Sequence, residues 1–179
     1  LLTLVGVIDA DLGLQGSDLR AAERTFQLVR QVSGRAGRGE RPGLALIQTY
    51  QPDHPVIRAI LSGEEEAFWR AEAAERQRAG MPPYGRLAGI ILSAPDAQTV
   101  FDFGTELARR DAPLRRIGAQ VFGPAPAPIA RVRGRHRVRL LVKADKAAPL
   151  QAALAGWVGQ VKPPSTLRLS IDIDPQSFY

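Results

Sequence analysis

Three polar residues near the start of the chain, Gln31, Arg35 and Arg38, are spaced so that they could bind a nucleotide phosphate. They are four and three residues apart, so a helix that continued through all three would place their side chains on one face. Gly34 and Gly37 have no side chains and would let a second domain approach closely. An arginine that reaches a triphosphate held by another lobe is the arginine-finger arrangement of phosphoryl-transfer motors. The alternative is an exposed helix end whose arginines interact with the helix dipole.

Two acidic residues, Asp9 and Asp11, follow an apolar run at residues 4–8, which we predict to be a strand buried on both faces. Ligands of α/β proteins bind at the carboxyl ends of strands, so Asp11 is a candidate nucleotide-binding residue. An aspartate turn that closes the strand explains the same pattern. A magnesium site made of the two carboxylates is a third interpretation, and the lack of further oxygen ligands nearby argues against it.

The segment from residue 131 to residue 139 has an arginine at every second position. In one extended strand all of these arginines would point to one face, with Val132 and Val138 on the other. A row of guanidinium groups about 6–7 Å apart could bind a phosphate backbone without regard to sequence. The alternative is a charged edge strand whose arginines prevent aggregation. The predicted DNA contacts are therefore Arg131, Arg133, Arg135, Arg137 and Arg139.

The positive charge of the chain is concentrated in one block. The net charge is +6, but residues 109–143 contain ten basic residues and one acidic residue, so the rest of the chain is slightly acidic. A concentrated basic block is typical of a surface that contacts a polyanion, and Arg115 and Arg116 lie in it as well.

Several classes of protein are disfavoured by composition. The chain has no cysteine, which excludes disulfides and thiolate metal sites, and His54 and His136 stand alone without other ligands at metal spacing. No apolar run approaches the roughly 20 residues of a membrane span, and no signal peptide is visible. We therefore expect a cytoplasmic protein without membrane contact. Because the chain begins at Leu1 rather than at a methionine, we expect it to be a piece of a larger protein.

Hydrophobic periodicity predicts two different parts. The first has a strand at residues 4–8, a helix with a stripe formed by Leu19, Ala22, Phe26 and Val29, and a strand at residues 44–50, which is half of a parallel α/β unit. A charged helix at residues 64–78 follows. The second part has strands at 87–92, 117–122, 137–142 and 167–173 and helices at 96–110 and 147–158. That order is βαββαβ, the ferredoxin-like arrangement, with the alternating proline run 124–128 as a stiff connector.

Segments along the whole chain resemble one family of helicases. Residues 4–11 (LVGVIDAD) and 18–28 (DLRAAERTFQL), followed by the run from Gln31 to Arg38, resemble motifs V and VI of superfamily-two helicases. They are most similar to the PriA, or primosomal protein N′, family of replication-restart helicases. Further matching segments are GERPG (39–43), LIQTYQPDHP (46–55), PPYG (82–85), GPAPAPI (123–129) and DIDPQSF (172–178). Ser33 stands where the family usually has alanine, which is a small-for-small change.

The resemblance implies an α/β fold with three segments. Residues 1–62 would be the carboxy-terminal part of a second RecA-like lobe, residues 63–80 a connecting helix, and residues 81–179 a DNA-binding domain. It also implies that Gln31 and Arg35 lie at the nucleotide and the contacts between lobes, that Arg38 is the arginine finger, and that Asp11 takes part in coupling the nucleotide to DNA.

The resemblance further implies an ATP-dependent DNA helicase of 3′ to 5′ polarity that binds forked DNA and initiates replication restart. The intact protein would use ATP and Mg²⁺, and the family carries zinc in an insert upstream of this segment. Its partners would be branched and single-stranded DNA, the single-stranded-DNA-binding protein and primosome proteins. The chain contains no phosphate loop and no Asp-Glu box, so we expect it to be inactive alone. The alternative is a non-enzymatic nucleic-acid-binding or protein-docking module in which Arg35 and Arg38 bind a backbone phosphate.

Overall fold

The computed structural model describes residues 3–15, 20–36 and 43–177. Leu19, the first residue of the predicted apolar stripe, and Arg38 lie outside these residues. The chain divides into two compact units, residues 1–73 and 74–179. The first unit contains β1 (Leu4–Val7), a 3₁₀ helix (Ala10–Gly13), α1 (Ala21–Ser33), β2 (Leu44–Ile47), α2 (Pro55–Ser62) and the first part of α3 (Glu65–Arg78).

The two strands of the first unit pair in parallel, with Leu4 opposite Leu44. A parallel pair needs a crossover connection, which α1 provides, so the predicted order of strand, helix and strand is present. The prediction that β1 is buried on both faces is wrong. Leu4, Leu44 and Leu46 are each 56% exposed, because α1 covers only one face of this sheet, which has two strands in the described part of the chain.

Aromatic side chains form the core of the first unit. The rings of Phe26 in α1 and Phe68 in α3 are stacked with their centroids 4.3 Å apart, and Trp69 packs edge-on against Phe26 at 5.5 Å. Beside this cluster, Arg30 Nη2 donates a hydrogen bond to Glu65 Oε2 at 2.8 Å. These contacts hold α1 against the beginning of α3.

The second unit contains a four-stranded antiparallel sheet in the order β4-β5-β3-β6. Its elements are β3 (Gly85–Ala94), α4 (Ala97–Arg109), α5 (Ala112–Arg115), β4 (Gln120–Val132), β5 (Arg135–Asp145), α6 (Leu150–Val158) and β6 (Arg168–Ile173). The predicted βαββαβ order is confirmed, and the short helix α5 is added to it.

Both long helices of the second unit pack on the same face of the sheet. Leu92 and Leu140 point to this face and are fully buried against Leu107 of α4 and Trp157 of α6. The Trp157 indole nitrogen donates a hydrogen bond to the Leu107 carbonyl at 2.8 Å, so its polar atom is satisfied inside the core. Because side chains alternate along a strand, the residues between these positions lie on a face that neither helix covers.

Strand β4 is longer than predicted and includes the proline run at 124–128, which we expected to be a connector outside the sheet. The run stays in the sheet because β4 is an edge strand, where prolines that lack an N–H are tolerated. Its pairing with β5 shifts register after Phe122 and again after Pro126. Gly123 allows the first shift, since it has φ 101° and a Cβ there would lie 2.7 Å from the Arg139 carbonyl oxygen.

Val138 and Val132 provide a matched test of this sheet, because Val138 is 2% exposed and Val132 is 38% exposed. We expect Val138→Ala to lower the free energy of unfolding by about 2 kcal/mol, from lost burial and the cavity left behind. Val132→Ala should change it by less than about 0.5 kcal/mol, as at other exposed positions. Urea unfolding of the two variants measures the difference, and equal losses would contradict the assigned faces.

Candidate nucleic-acid interface

The arginine-rich segment is a β-hairpin rather than one strand. Val132 is paired with Arg135, and Arg133 and Gly134 form the two-residue turn between β4 and β5. Both turn residues have positive φ values, 47° and 77°, as a type I′ hairpin turn requires. The predicted row of five arginines on one face is therefore wrong. The chain reverses at residues 133–134, and Val132 does not face the core as predicted.

The hairpin separates the predicted DNA contacts into different environments. Arg131 is on β4 opposite His136, and Arg133 is exposed in the turn. Arg135, Arg137 and Arg139 alternate along β5 on the face opposite to the buried Val138, as expected for three positions of one strand.

Arg135 binds other parts of the protein. Its Nη2 atom donates hydrogen bonds of 2.7 Å to the carbonyl oxygens of Ser93, at the end of β3, and of Thr166, before β6. These contacts fasten the hairpin to the end of the sheet. The side chain predicted to contact DNA thus has a structural role in this arrangement.

Arg139 lies nearer the middle of the sheet, opposite Ile91 on one side and Ala125 on the other. It is half-buried, and burial lowers the pKa of its guanidinium below the ordinary value. Arg137 is closer to the hairpin end, and its Nη1 atom donates a long hydrogen bond of 3.4 Å to the Ile129 carbonyl. Arg137 is therefore better placed than Arg139 to meet a ligand.

A depression of about 190 Å³ lies beside Arg137 on the face that the helices leave uncovered. In the cross-strand register, Ser93 of β3 is flanked by Arg137 of β5 and Arg168 of β6. Side chains directly opposite one another share a face of the sheet. The depression, which we call the arginine pocket, is lined by Ser93, Val132, Arg133, Arg135, Arg137 and Arg168. None of the lining residues in the described part of the chain is acidic.

Arg168 was not predicted as a site residue. It is one arginine in a strand far along the sequence, and only the pairing of β3 with both β5 and β6 places it beside Arg137. Arg115 and Arg116, in contrast, belong to the same basic block but lie elsewhere. They precede Gln120 at the amino-terminal end of β4, whereas the hairpin is at the carboxy-terminal end of this 13-residue strand.

The predicted nucleotide-binding residues of the first unit are only partly described. Helix α1 ends at Ser33, and Arg35 follows in a turn in which its N–H donates to the Val32 carbonyl at 3.1 Å. The helix therefore ends before Arg35 and does not place Gln31 and Arg35 on one continuous helical face, and Arg38 lies outside the described residues. Gln31 and Arg35 are both exposed at this end of α1.

Asp11 joins the ends of the two parallel strands. It is 2% exposed, and its carboxylate accepts hydrogen bonds from the Thr49 hydroxyl at 2.5 Å and the Tyr50 N–H at 2.7 Å. The Thr49 hydroxyl, followed by the Tyr50 N–H, lowers the pKa of the Asp11 carboxyl below its ordinary value of 3.8. Both carboxylate oxygens are thus engaged within the first unit, as in the turn interpretation of this residue.

The histidine and acidic residues that the structure describes do not form a recognisable metal site. Across residues 3–15, 20–36 and 43–177, no group of three or more His, Cys, Asp or Glu residues could hold a metal ion. His54 caps α2, since its Nδ1 atom accepts a hydrogen bond from the Val56 N–H at 3.2 Å. Within the same described ranges, no helix is both long and apolar enough to span a bilayer.

Comparison with known proteins identifies similar sequences along almost the whole chain. Residues 77–176 match the family described as Primosomal protein N C-terminal domain. Proteins named Replication restart protein PriA are 43% identical over 178 residues in Rickettsia felis, 40% over 177 in Synechocystis sp. and 36% over 177 in Bacillus subtilis. These matches cover 99%, 99% and 97% of this chain but 27%, 21% and 22% of the three relatives. The chain therefore spans about a quarter of the length of these relatives.

Arg135 and Arg133 allow the structural and exposed arginines of the hairpin to be compared. We expect Arg135→Gln to lower the free energy of unfolding by about 1–2 kcal/mol, because two carbonyl oxygens lose a charged hydrogen-bond donor. Arg133→Gln removes the same charge from the exposed turn and should change stability by less than about 0.5 kcal/mol. Thermal unfolding monitored by circular dichroism would reveal the difference. If both variants are as stable as the wild-type chain, the hairpin does not depend on Arg135.

Asp11 should contribute stability that depends on pH. Because its pKa is lower in the folded chain than the ordinary 3.8, the contribution is present above pH 3.8 and is lost as the pH falls through the folded-state pKa. An NMR titration of the Asp11 carboxyl carbon should therefore give a midpoint below that of the same residue in the urea-unfolded chain. A midpoint equal to or above the unfolded value would show that the contacts with Thr49 and Tyr50 do not favour the carboxylate.

Proposed function

Because this chain belongs to the Primosomal protein N C-terminal domain family, we propose that it is the carboxy-terminal part of a replication-restart helicase of the PriA type. The observation that carries the proposal is the similarity of 97–99% of the chain to proteins named Replication restart protein PriA. The intact protein would be an ATP-dependent DNA helicase of 3′ to 5′ polarity that binds forked DNA and begins primosome assembly.

We assign residues 1–62 to the end of the second RecA-like lobe of this motor. The parallel pairing of β1 with β2, connected by α1, supports the assignment because this is the connection that such lobes repeat. Gln31 and Arg35 are exposed at the end of α1 and therefore free to face a nucleotide bound by the other lobe. The phosphate loop, the ATP and Mg²⁺ it binds, and the zinc of the upstream insert would belong to parts of the protein outside this sequence.

We assign residues 81–179 to contact with DNA. The concentration of basic residues in the block 109–143 supports this assignment, as does the clustering of arginines around a depression on the uncovered face of the sheet. Branched and single-stranded DNA, the single-stranded-DNA-binding protein and primosome proteins are the partners proposed from the family resemblance.

A second candidate function is a module that binds nucleic acid without taking part in ATP hydrolysis. It is favoured by Asp11, whose carboxylate oxygens are already engaged by Thr49 and Tyr50 and so would not need a nucleotide as partner. The two candidates differ in what they predict for the intact protein. The motor requires Arg38 for ATP turnover, and the module does not.

Arg38→Ala in the intact protein is the test of the motor. We expect ATP turnover stimulated by forked DNA to fall by roughly 10³-fold or more, as when an arginine finger is lost. Binding of forked DNA should stay largely unchanged. Arg58→Ala is a suitable control because its side chain is 72% exposed in the same unit, and it should leave turnover within about twofold of wild type. Near-normal turnover in Arg38→Ala would favour the second candidate.

A further inference from the structure

The arginine pocket has the shape and charge of a site for a single anion. We propose that it binds one backbone phosphate of single-stranded nucleic acid, with Arg137 and Arg168 as the principal ligands and Arg133 as a third. This inference rests on the DNA-contacting role proposed above for residues 81–179. It deepens that role by assigning the contact to one pocket and one form of nucleic acid.

The register of the sheet makes two of the arginines converge. Arg137 and Arg168 are each paired directly with Ser93, so they lie one strand away from it on either side. Neighbouring strands are about 4.8 Å apart, which places the two arginine backbones about 10 Å apart. Long side chains that start from these positions can approach one phosphate group from opposite sides, and each guanidinium can donate two hydrogen bonds to its oxygens.

The described lining of the pocket is basic. Among these residues there is no carboxylate, and Arg135 in the pocket wall already binds the carbonyl oxygens of Ser93 and Thr166. On β6 the next acidic residue of the same face is Asp172, which is opposite Gly89 and therefore four paired positions beyond the Ser93–Arg168 pair. Several guanidinium groups held close together repel one another, and a bound anion would relieve that repulsion.

The hairpin geometry favours a single strand over a duplex. A β-ribbon that reads a DNA groove has to project from its domain, whereas this hairpin is fastened to the sheet by Arg135. It extends little beyond the end of β3, because Ala94 is still paired with His136. A flexible single strand can bend one phosphate into a depression and stack its bases on neighbouring guanidinium planes. A duplex presents its phosphates on a stiff convex surface.

The test compares two doubly substituted forms of the 179-residue chain. Arg137→Gln with Arg168→Gln removes two charges from the pocket. Arg58→Gln with Arg70→Gln removes two charges from exposed positions outside both the pocket and the basic block. Fluorescence anisotropy with a labelled 20-nucleotide thymidine oligomer and with a blunt 20-base-pair duplex measures affinity between 50 and 300 mM salt. Circular dichroism confirms that both variants are folded.

We expect the pocket variant to bind the single strand about tenfold more weakly or worse at 100 mM salt. The slope of log affinity against log salt should become shallower by about 0.7, since the pocket is proposed to hold one phosphate and each phosphate contact on a single strand contributes about 0.7. The control variant should keep the wild-type slope, and the duplex affinity should change by less than about twofold in the pocket variant.

Arg137→Lys with Arg168→Lys keeps the charge and should keep the slope. This variant should bind the single strand more weakly than wild type, because lysine cannot donate in the bidentate manner of arginine.

Five results would overturn the proposal in whole or in part. Equal losses of single-strand affinity in the pocket and control variants would mean that only the overall charge matters. A loss of duplex affinity in the pocket variant as large as its loss of single-strand affinity would assign the pocket to duplex DNA. If inorganic pyrophosphate displaces the oligomer from the wild-type chain and the affinity for thymidine oligomers does not rise with their length, the pocket is assigned to a free phosphate compound. If the wild-type chain binds neither DNA, the role proposed for residues 81–179 fails. If it binds and the pocket variant is unaffected, only the pocket assignment fails.

Discussion

The burial of one face of the four-stranded sheet is the constraint on which the second unit depends. Ile90, Leu92 and Leu140 must be removed from water, and α4 and α6 both lie over them, with Trp157 filling the space between. Because both helices lie on this face, neither covers the other face. The alternate positions of β3, β5 and β6 are therefore available for polar residues, and the arginine pocket lies on that side.

The first unit also buries one face of its sheet, but with fewer strands and helices in the described part of the chain. Its two strands have one face against α1 and leave Leu44 and Leu46 exposed on the other, so the sheet by itself provides little of the core. Two sets of side-chain contacts outside the sheet hold the unit together instead. The aromatic cluster of Phe26, Phe68 and Trp69 fixes the helices, and the carboxylate of Asp11 ties the end of β1 to the residues after β2.

The fold could be predicted from the sequence where the pattern of apolar residues reflects burial. The alternation and spacing of apolar residues predicted the βαββαβ order, because each helix and strand must place its apolar side chains on the same core. Prediction failed for the arginine-rich segment, whose structure depends on pairing between strands. An arginine at every second position fits one long strand and also fits two strands joined at Arg133 and Gly134, and composition alone does not choose between them. Gly134 was the available signal for the turn.

Register decides the role of each arginine more than its place in the sequence does. Arg135 and Arg137 are two residues apart on one strand and point to the same face, yet the first reaches backbone carbonyls at the end of the sheet and the second faces an open depression. Arg168 is outside the basic block but meets Arg137 across Ser93, whereas Arg115 and Arg116 are inside the block and lie at the far end of β4. A genome that favours arginine can supply such residues at many surface positions. The positions that strand pairing gathers around the arginine pocket, whose described lining contains no acidic residue, are those with the geometry proposed to hold a phosphate.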